Sequence, residues 1–147
     1  MHMIMKILFI CRGSVGRSQM AEAICRTMAP ADWDISSAGT RVVGKDGMSR
    51  DGQMLADAPG AALVIDVLAE EGIGASGSIR RQLTSGMVAD ADRIVVMAEP
   101  ETVPDYLKDS PKAIWWTVPD PKETSLERHR EIKDMIRGLV AGFVKSF

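Results

Sequence analysis

The chain is 147 residues long and 46% hydrophobic, which suits one domain (1–147) around one core. Eighteen basic and twenty acidic residues leave a net charge of -2, so the chain as a whole has no pull on nucleic acid or an acidic membrane surface, and any affinity for an anion must be local. Two cysteines make no disulfide framework and, with two histidines at unrelated spacings, no zinc site; no segment has transmembrane length and Met1 to Ile10 lacks a signal-peptide pattern, so a reducing cytoplasm is expected.

In chain order, Ile7 to Ile10 is an apolar run rich in strand formers, Gly13 and Gly16 punctuate a tight loop, and Gln19 to Met28 reads as a helix stopped by Pro30. Cys25 lies on that helix and reads as packing, because nothing charged is forced close to it. Trp33 to Ser37 alternates as a second short strand and leads into Ser37-Ala38-Gly39-Thr40. Arg41 to Pro59 is a charged surface connection; Arg41 reads as a solvated arginine, with contact to substrate as the alternative.

A helix is expected to start at Asp57, bury Val64, Val67 and Leu68, and stop at Gly72. A polar connection over 76–82 precedes a short helix capped by Thr84 or Ser85 and running through Asp90. Ile94 to Met97 is a third strand, Glu99 to Lys108 a weak helix interrupted by Pro104, and Ala113 to Thr117 a fourth strand. Trp115 and Trp116 must face opposite ways, one into the core and the other into a cleft or under a second helical layer. Thr124 and Glu127 form a capping-box pattern for a long last helix, with His129 on its polar, solvated side. Strands alternating with helices predict a three-layer parallel α/β sheet whose ligand binds at the carboxyl ends of the strands, within reach of both Cys11 and Asp120.

The chemistry concentrates in Cys11-Arg12-Gly13-Ser14-Val15-Gly16-Arg17-Ser18. A loop between a strand and a helix N-terminus aims backbone N–H groups at one point, which attracts an anion. A thiol placed there beside a guanidinium is expected to act as a thiolate nucleophile, and Arg17 offers a planar fork of donors that suits a tetrahedral oxyanion. The bland alternative is a buried free cysteine and a surface arginine, which the register of two glycines, Arg17 and Ser18 disfavours.

Cys-x5-Arg-Ser after the first strand, Ser-Ala-Gly-Thr at 37–40, Arg-Gln-Leu-Thr at 81–84 and Asp-Pro at 120–121 together resemble the low-molecular-weight protein-tyrosine phosphatase family, which shares its superfamily with thioredoxin-linked arsenate reductases. The resemblance implies a flavodoxin-like three-layer fold with a four-stranded parallel sheet, and a metal-independent phosphomonoester hydrolase with no cofactor. It implies Cys11 as nucleophile, Arg17 as oxyanion clamp and Asp120 as general acid and base, Asp120 otherwise being a turn residue between two prolines. Substrate oxygens would be held along Arg12, Gly13, Ser14, Val15 and Gly16, with Ser18 donating to the Cys11 sulfur and Ser37 and Ser78 supporting the loop.

Four positions depart from the family pattern. Ser14 stands where asparagine is usual, Ser78 where histidine is frequent, Gly16 where a second loop cysteine is common, and Lys122 where the phosphatases commonly carry tyrosine. With no aromatic residue between Trp33 and Tyr106 as well, the expected substrate is a phosphorylated protein or a smaller, more anionic phosphate ester. The rival readings are an arsenate reductase using an external thiol partner, since no cysteine follows Cys25, and a weakly catalytic phosphate-binding or phosphotransfer module.

Overall fold

The computed structural model describes residues 4–147; Met1 to Met3, which belong to the segment read above for a signal peptide, lie outside the described residues. Four parallel strands form one sheet: β1 (Lys6–Cys11), β2 (Asp34–Gly39), β3 (Arg93–Val96) and β4 (Ala113–Trp115), in the order β2-β1-β3-β4. Five helices accompany them: α1 (Arg17–Met28), α2 (Ala61–Ala69), α3 (Ser85–Asp90), α4 (Asp105–Lys108) and α5 (Leu126–Lys145).

The alternation of β1 sorts the molecule into three layers. Ile7 and Phe9 point into a core shared with Met20 and Ile24 of α1, Val67 and Leu68 of α2, and Ile132, Ile136 and Val140 of α5. Leu8 and Ile10 point the other way, onto Val88 of α3 and Leu107 of α4. Both faces are covered, which explains why β1 reads as a continuous apolar run. Phe9 is fully buried, worth about 2–3 kcal/mol in removed apolar surface, and its ring contacts Trp116 and Phe143 at 6.1 and 6.2 Å.

The strand order reverses between β1 and β3, and at such a switch point the carboxyl ends of the strands open a crevice. The register places Cys11 beside Gly39 and Ile10 beside Val96 at that edge. The loop that follows β1 therefore stands over the crevice.

Local corrections have local causes. Asp57 closes a single 3-10 turn (Leu55–Asp57), and α2 begins only after Pro59 and Gly60, whose φ of +82° breaks the run. The expected helix over 99–108 divides into a 3-10 turn (Pro100–Thr102) and α4, with Pro104 between them. Ser125, not Thr124, caps α5: its hydroxyl accepts from the Arg128 N–H at 3.1 Å. Trp116 packs partly against the core, whereas Trp115 is 43% exposed and lies outside both core clusters; on its face of β4 the helical layer covers Ala113 and stops short of Trp115.

Candidate active site

The loop is held from behind by groups that leave its amides free. Ser14 takes a left-handed conformation, φ +57°, and is fully buried. Gln19, two residues into α1, donates its amide to the Ser14 carbonyl at 3.1 Å, to the Ser14 hydroxyl at 3.3 Å and to the Ile79 carbonyl at 3.1 Å. The Arg81 N–H adds a bond to the Ser14 hydroxyl at 3.2 Å. Arg80 donates through Nε and Nη2 to the Gly13 carbonyl at 3.2 and 3.0 Å and through Nη1 to Gln53 Oε1 at 2.7 Å. Burial pulls the Arg80 guanidinium down from its ordinary value, as does the neighbouring Arg50, and the Cys11 sulfur works against both.

Among the described residues, the N–H groups of Gly13, Ser14, Val15 and Gly16 donate to no protein acceptor, and α1 starts from Gly16 without a side-chain cap. These unpartnered donors and the positive end of a 12-residue helix converge on one short loop, the arrangement that binds oxyanions. Cys11 Sγ lies 3.0 Å from the Ser18 hydroxyl, both buried. That hydroxyl can donate to a thiolate.

Arg17 is only 3% exposed. Its Nη1 donates to the carbonyls of Met97 and Val118 at 2.6 and 3.1 Å, and its Nη2 lies 3.0 Å from Glu99 Oε1 and 3.7 Å from Asp120 Oδ2. The two carbonyls occupy Nη1 and Glu99 pairs with Nη2 as an ion, which leaves Nε–H and the Nη2 edge to turn toward an oxyanion. Glu99 Oε2 is buried with no hydrogen-bond partner.

Asp120 is exposed and accepts the Lys122 N–H at 3.0 Å, which fixes the turn that carries it. Pro121 packs against the loop: a Cβ on Gly16 would meet Pro121 Cγ at 3.3 Å, so a bulkier residue at 16 would push the Asp120 turn away. His129 is buried and lines the cavity, contrary to the solvated position expected from the helix pattern. Its Nδ1 lies 2.8 Å from the Ser125 carbonyl and 3.2 Å from the Thr124 hydroxyl, and that hydroxyl donates to the Pro121 carbonyl. A carbonyl partner requires the hydrogen on Nδ1.

Cys11, Arg12, Gly13, Val15, Gly16, Arg17 and Asp120 line one cavity of about 600 Å3, with Ser14 and Ser18 buried behind it. Ser37 and Ser78 do not meet Ser14 there. The Ser37 hydroxyl donates to Glu22 Oε1 at 2.9 Å, and Ser78 lines a separate depression beside Glu22. Gln19 and Arg80 take over the support of the loop. Gln19 follows the Arg-Ser pair directly and Arg80 precedes the 81–84 motif, so adjacency to recognised residues was the signal available in the sequence. Cys25 is fully buried in the core, and burial pushes its thiol up to about 11. Among the described residues no group of three His, Cys, Asp or Glu side chains is placed to hold a metal ion.

A profile of the low molecular weight phosphotyrosine protein phosphatase family matches residues 6–147. The probable low molecular weight protein-tyrosine-phosphatase EpsP of Ralstonia nicotianae is 35% identical over 95 residues, 65% of this chain, and the match spans 57% of that relative's length. Vibrio vulnificus Wzb, solved in complex with benzylphosphonate, superposes with a TM-score of 0.79 at 23% identity over 99% of this chain and 100% of that one. The low molecular weight protein tyrosine phosphatase from T. tengcongensis gives 0.77 at 25% identity, over 97% of this chain and 99% of that one. The fold is thus shared along essentially the whole described chain.

Proposed function

The chain belongs to the low molecular weight phosphotyrosine protein phosphatase family, and on that premise we propose that it hydrolyses phosphate monoesters through a phosphocysteine on Cys11. The observation that carries this reading is that Cys11 Sγ, 3.0 Å from Ser18 Oγ, opens on the same cavity as Arg17 and Asp120. The loop amides, the free N–H groups of Arg17 and the α1 N-terminus would hold the three non-bridging oxygens and the charge that builds on them.

In the first step the Cys11 thiolate forms a sulfur–phosphorus bond as the ester oxygen–phosphorus bond breaks. Asp120, as the carboxylic acid, gives its proton to the departing oxygen. In the second, water attacks phosphorus, the Asp120 carboxylate takes its proton, and the sulfur–phosphorus bond breaks to return the thiolate and release inorganic phosphate. The Ser18 hydroxyl stabilises sulfur as nucleophile and then as leaving group. The 3.7 Å between Asp120 and Arg17 keeps the acid at the edge of the oxyanion site rather than within it.

A phosphorylated protein or a small phosphate ester is the substrate class, and a cytoplasmic setting keeps Cys11 reduced. No helix among the described residues is long and apolar enough to cross a membrane. Hydrolysis of para-nitrophenyl phosphate tests the reading between about pH 5 and 8. Turnover is expected in the parent, none in Cys11→Ser, and a loss of about 10²- to 10⁴-fold in Asp120→Asn. A folded parent with no turnover would overturn it.

A further inference from the structure

The mouth of the cavity holds more positive charge than one phosphate group uses. Seven Lys and Arg residues line it against two carboxylates, Asp46 and Asp120, in a chain whose overall charge is -2. Three of the seven are occupied internally. Arg17 is bound to the Met97 and Val118 carbonyls and paired with Glu99, and Arg80 is bound to the Gly13 carbonyl and Gln53. Arg50 meets both oxygens of Asp46 at 3.1 and 3.0 Å, which cancels that carboxylate.

The other four, Arg12, Arg41, Lys45 and Lys122, are exposed, and among the described residues none of their side chains hydrogen-bonds or pairs with another protein group. They surround the opening from three segments. The Arg41 N–H bonds the Arg12 carbonyl at 2.8 Å, which fixes those two residues side by side. Lys45 sits on the turn that Gly44 closes by donating to the Met48 carbonyl at 2.9 Å and that the Arg50–Asp46 pair clamps. Lys122 follows Asp120 on the opposite segment.

Four unpaired cations around one opening repel each other, and an anion in their midst removes that cost. The phosphate being cleaved already has the loop amides, the helix end and Arg17. No Phe, Tyr or Trp lines the cavity to stack on an aromatic leaving group, and about 600 Å3 suits a small ligand. We propose that this rim selects small aliphatic phosphomonoesters carrying a second anionic group, a carboxylate or another phosphate, bound chiefly by Arg41 and Lys45. The inference rests on the hydrolytic reading of the same cavity and deepens it to a substrate class.

The test compares two esters that differ by one charge, 3-phosphoglycerate and glycerol 3-phosphate, as a ratio of kcat/KM at low ionic strength. The parent is expected to favour 3-phosphoglycerate about tenfold, and Arg41→Gln/Lys45→Gln to cut that ratio by roughly three- to tenfold. Lys108→Gln/Lys145→Gln, which removes the same charge from exposed positions outside the cavity, leaves the ratio unchanged. A parent ratio at or below one, a ratio the rim variant does not lower, or better turnover of an acid-flanked tyrosine phosphopeptide than of 3-phosphoglycerate would each overturn the proposal. Calorimetric binding of the two esters to Cys11→Ser separates it from the hydrolytic reading. Preferential binding of 3-phosphoglycerate without turnover in the parent keeps the selectivity and removes the hydrolysis, while equal binding removes the selectivity.

Discussion

The floor of the cavity and its rim are built from the same kinds of residue and treated in opposite ways. On the floor Ser14, Gln19, Arg17 and Arg80 are buried and bonded to named partners, and the amides of 13–16 are what remains open. At the rim Arg12, Arg41, Lys45 and Lys122 are exposed with unpaired side chains. The difference separates two tasks. On the proposed reading, a transition state needs donors held within a fraction of an ångström, which a packed and fully bonded surround provides, whereas exposed charges at the rim act on the rest of the substrate at longer range.

Substitutions that disturb the floor should therefore cost turnover and stability together, and rim substitutions neither in the same measure. The largest effect is expected at Gly39, where a Cβ would stand 2.6 Å from the Arg12 carbonyl oxygen and 2.7 Å from the Ser14 nitrogen. Neither backbone atom can move without shifting the loop, so Gly39→Ala should lower kcat for para-nitrophenyl phosphate about 100-fold and unfold at lower urea. Normal turnover in that variant would mean the loop tolerates displacement. Gln19→Ala comes next: it strips donors from the Ser14 and Ile79 carbonyls, and a loss of about 2–3 kcal/mol in urea unfolding is expected, with kcat falling in parallel.

Cys25 shows what burial without a site does to a thiol on the same helix. Its ionisation is raised from 9.0 to about 11, so it is the neutral thiol that the fold accepts. The unfolded chain ionises first as pH rises, so the contribution to stability is whole below about pH 9 and is lost on the way to about 11. Cys25→Ala should flatten the unfolding free energy over that window by about 1–2 kcal/mol relative to the parent. An identical pH profile in both proteins would show that the thiol meets water. The smallest effect belongs to the rim: Arg41→Gln should raise stability by a few tenths of a kcal/mol, about what one exposed like-charge contact costs, and a clear loss would show that Arg41 holds structure.

Much of the sheet was legible because β1 and β3 are apolar on both faces and their runs are bounded by glycine or charge. The spacing of Cys11, Arg17 and Ser18 was legible because one strand, one loop and the first turn of one helix are contiguous in sequence. The supports of the loop were not. Arg80 reaches Gly13 across 67 residues and Glu99 meets Arg17 across the end of β3, contacts set by strand order rather than by any local period. Ser37 differs from its expected place for the same reason: its segment borders the loop through Gly39, but the Ser37 hydroxyl donates to Glu22 on α1. Helix spacing alone places His129 on the solvated side, whereas in the structure it is buried, bonded to Ser125 and Thr124 and through the Thr124 hydroxyl tied to Pro121.

The most direct measurement is acid-quenched mass spectrometry of Asp120→Asn mixed with para-nitrophenyl phosphate. On the proposed mechanism the nitrophenolate leaves with little help while the second step lacks its base, so the covalent species should accumulate. One phosphoryl group on the peptide containing Cys11, absent from Cys11→Ser, is the expected result. Release of nitrophenolate with no phosphoryl group on Cys11 at any quench time would contradict a phosphocysteine mechanism.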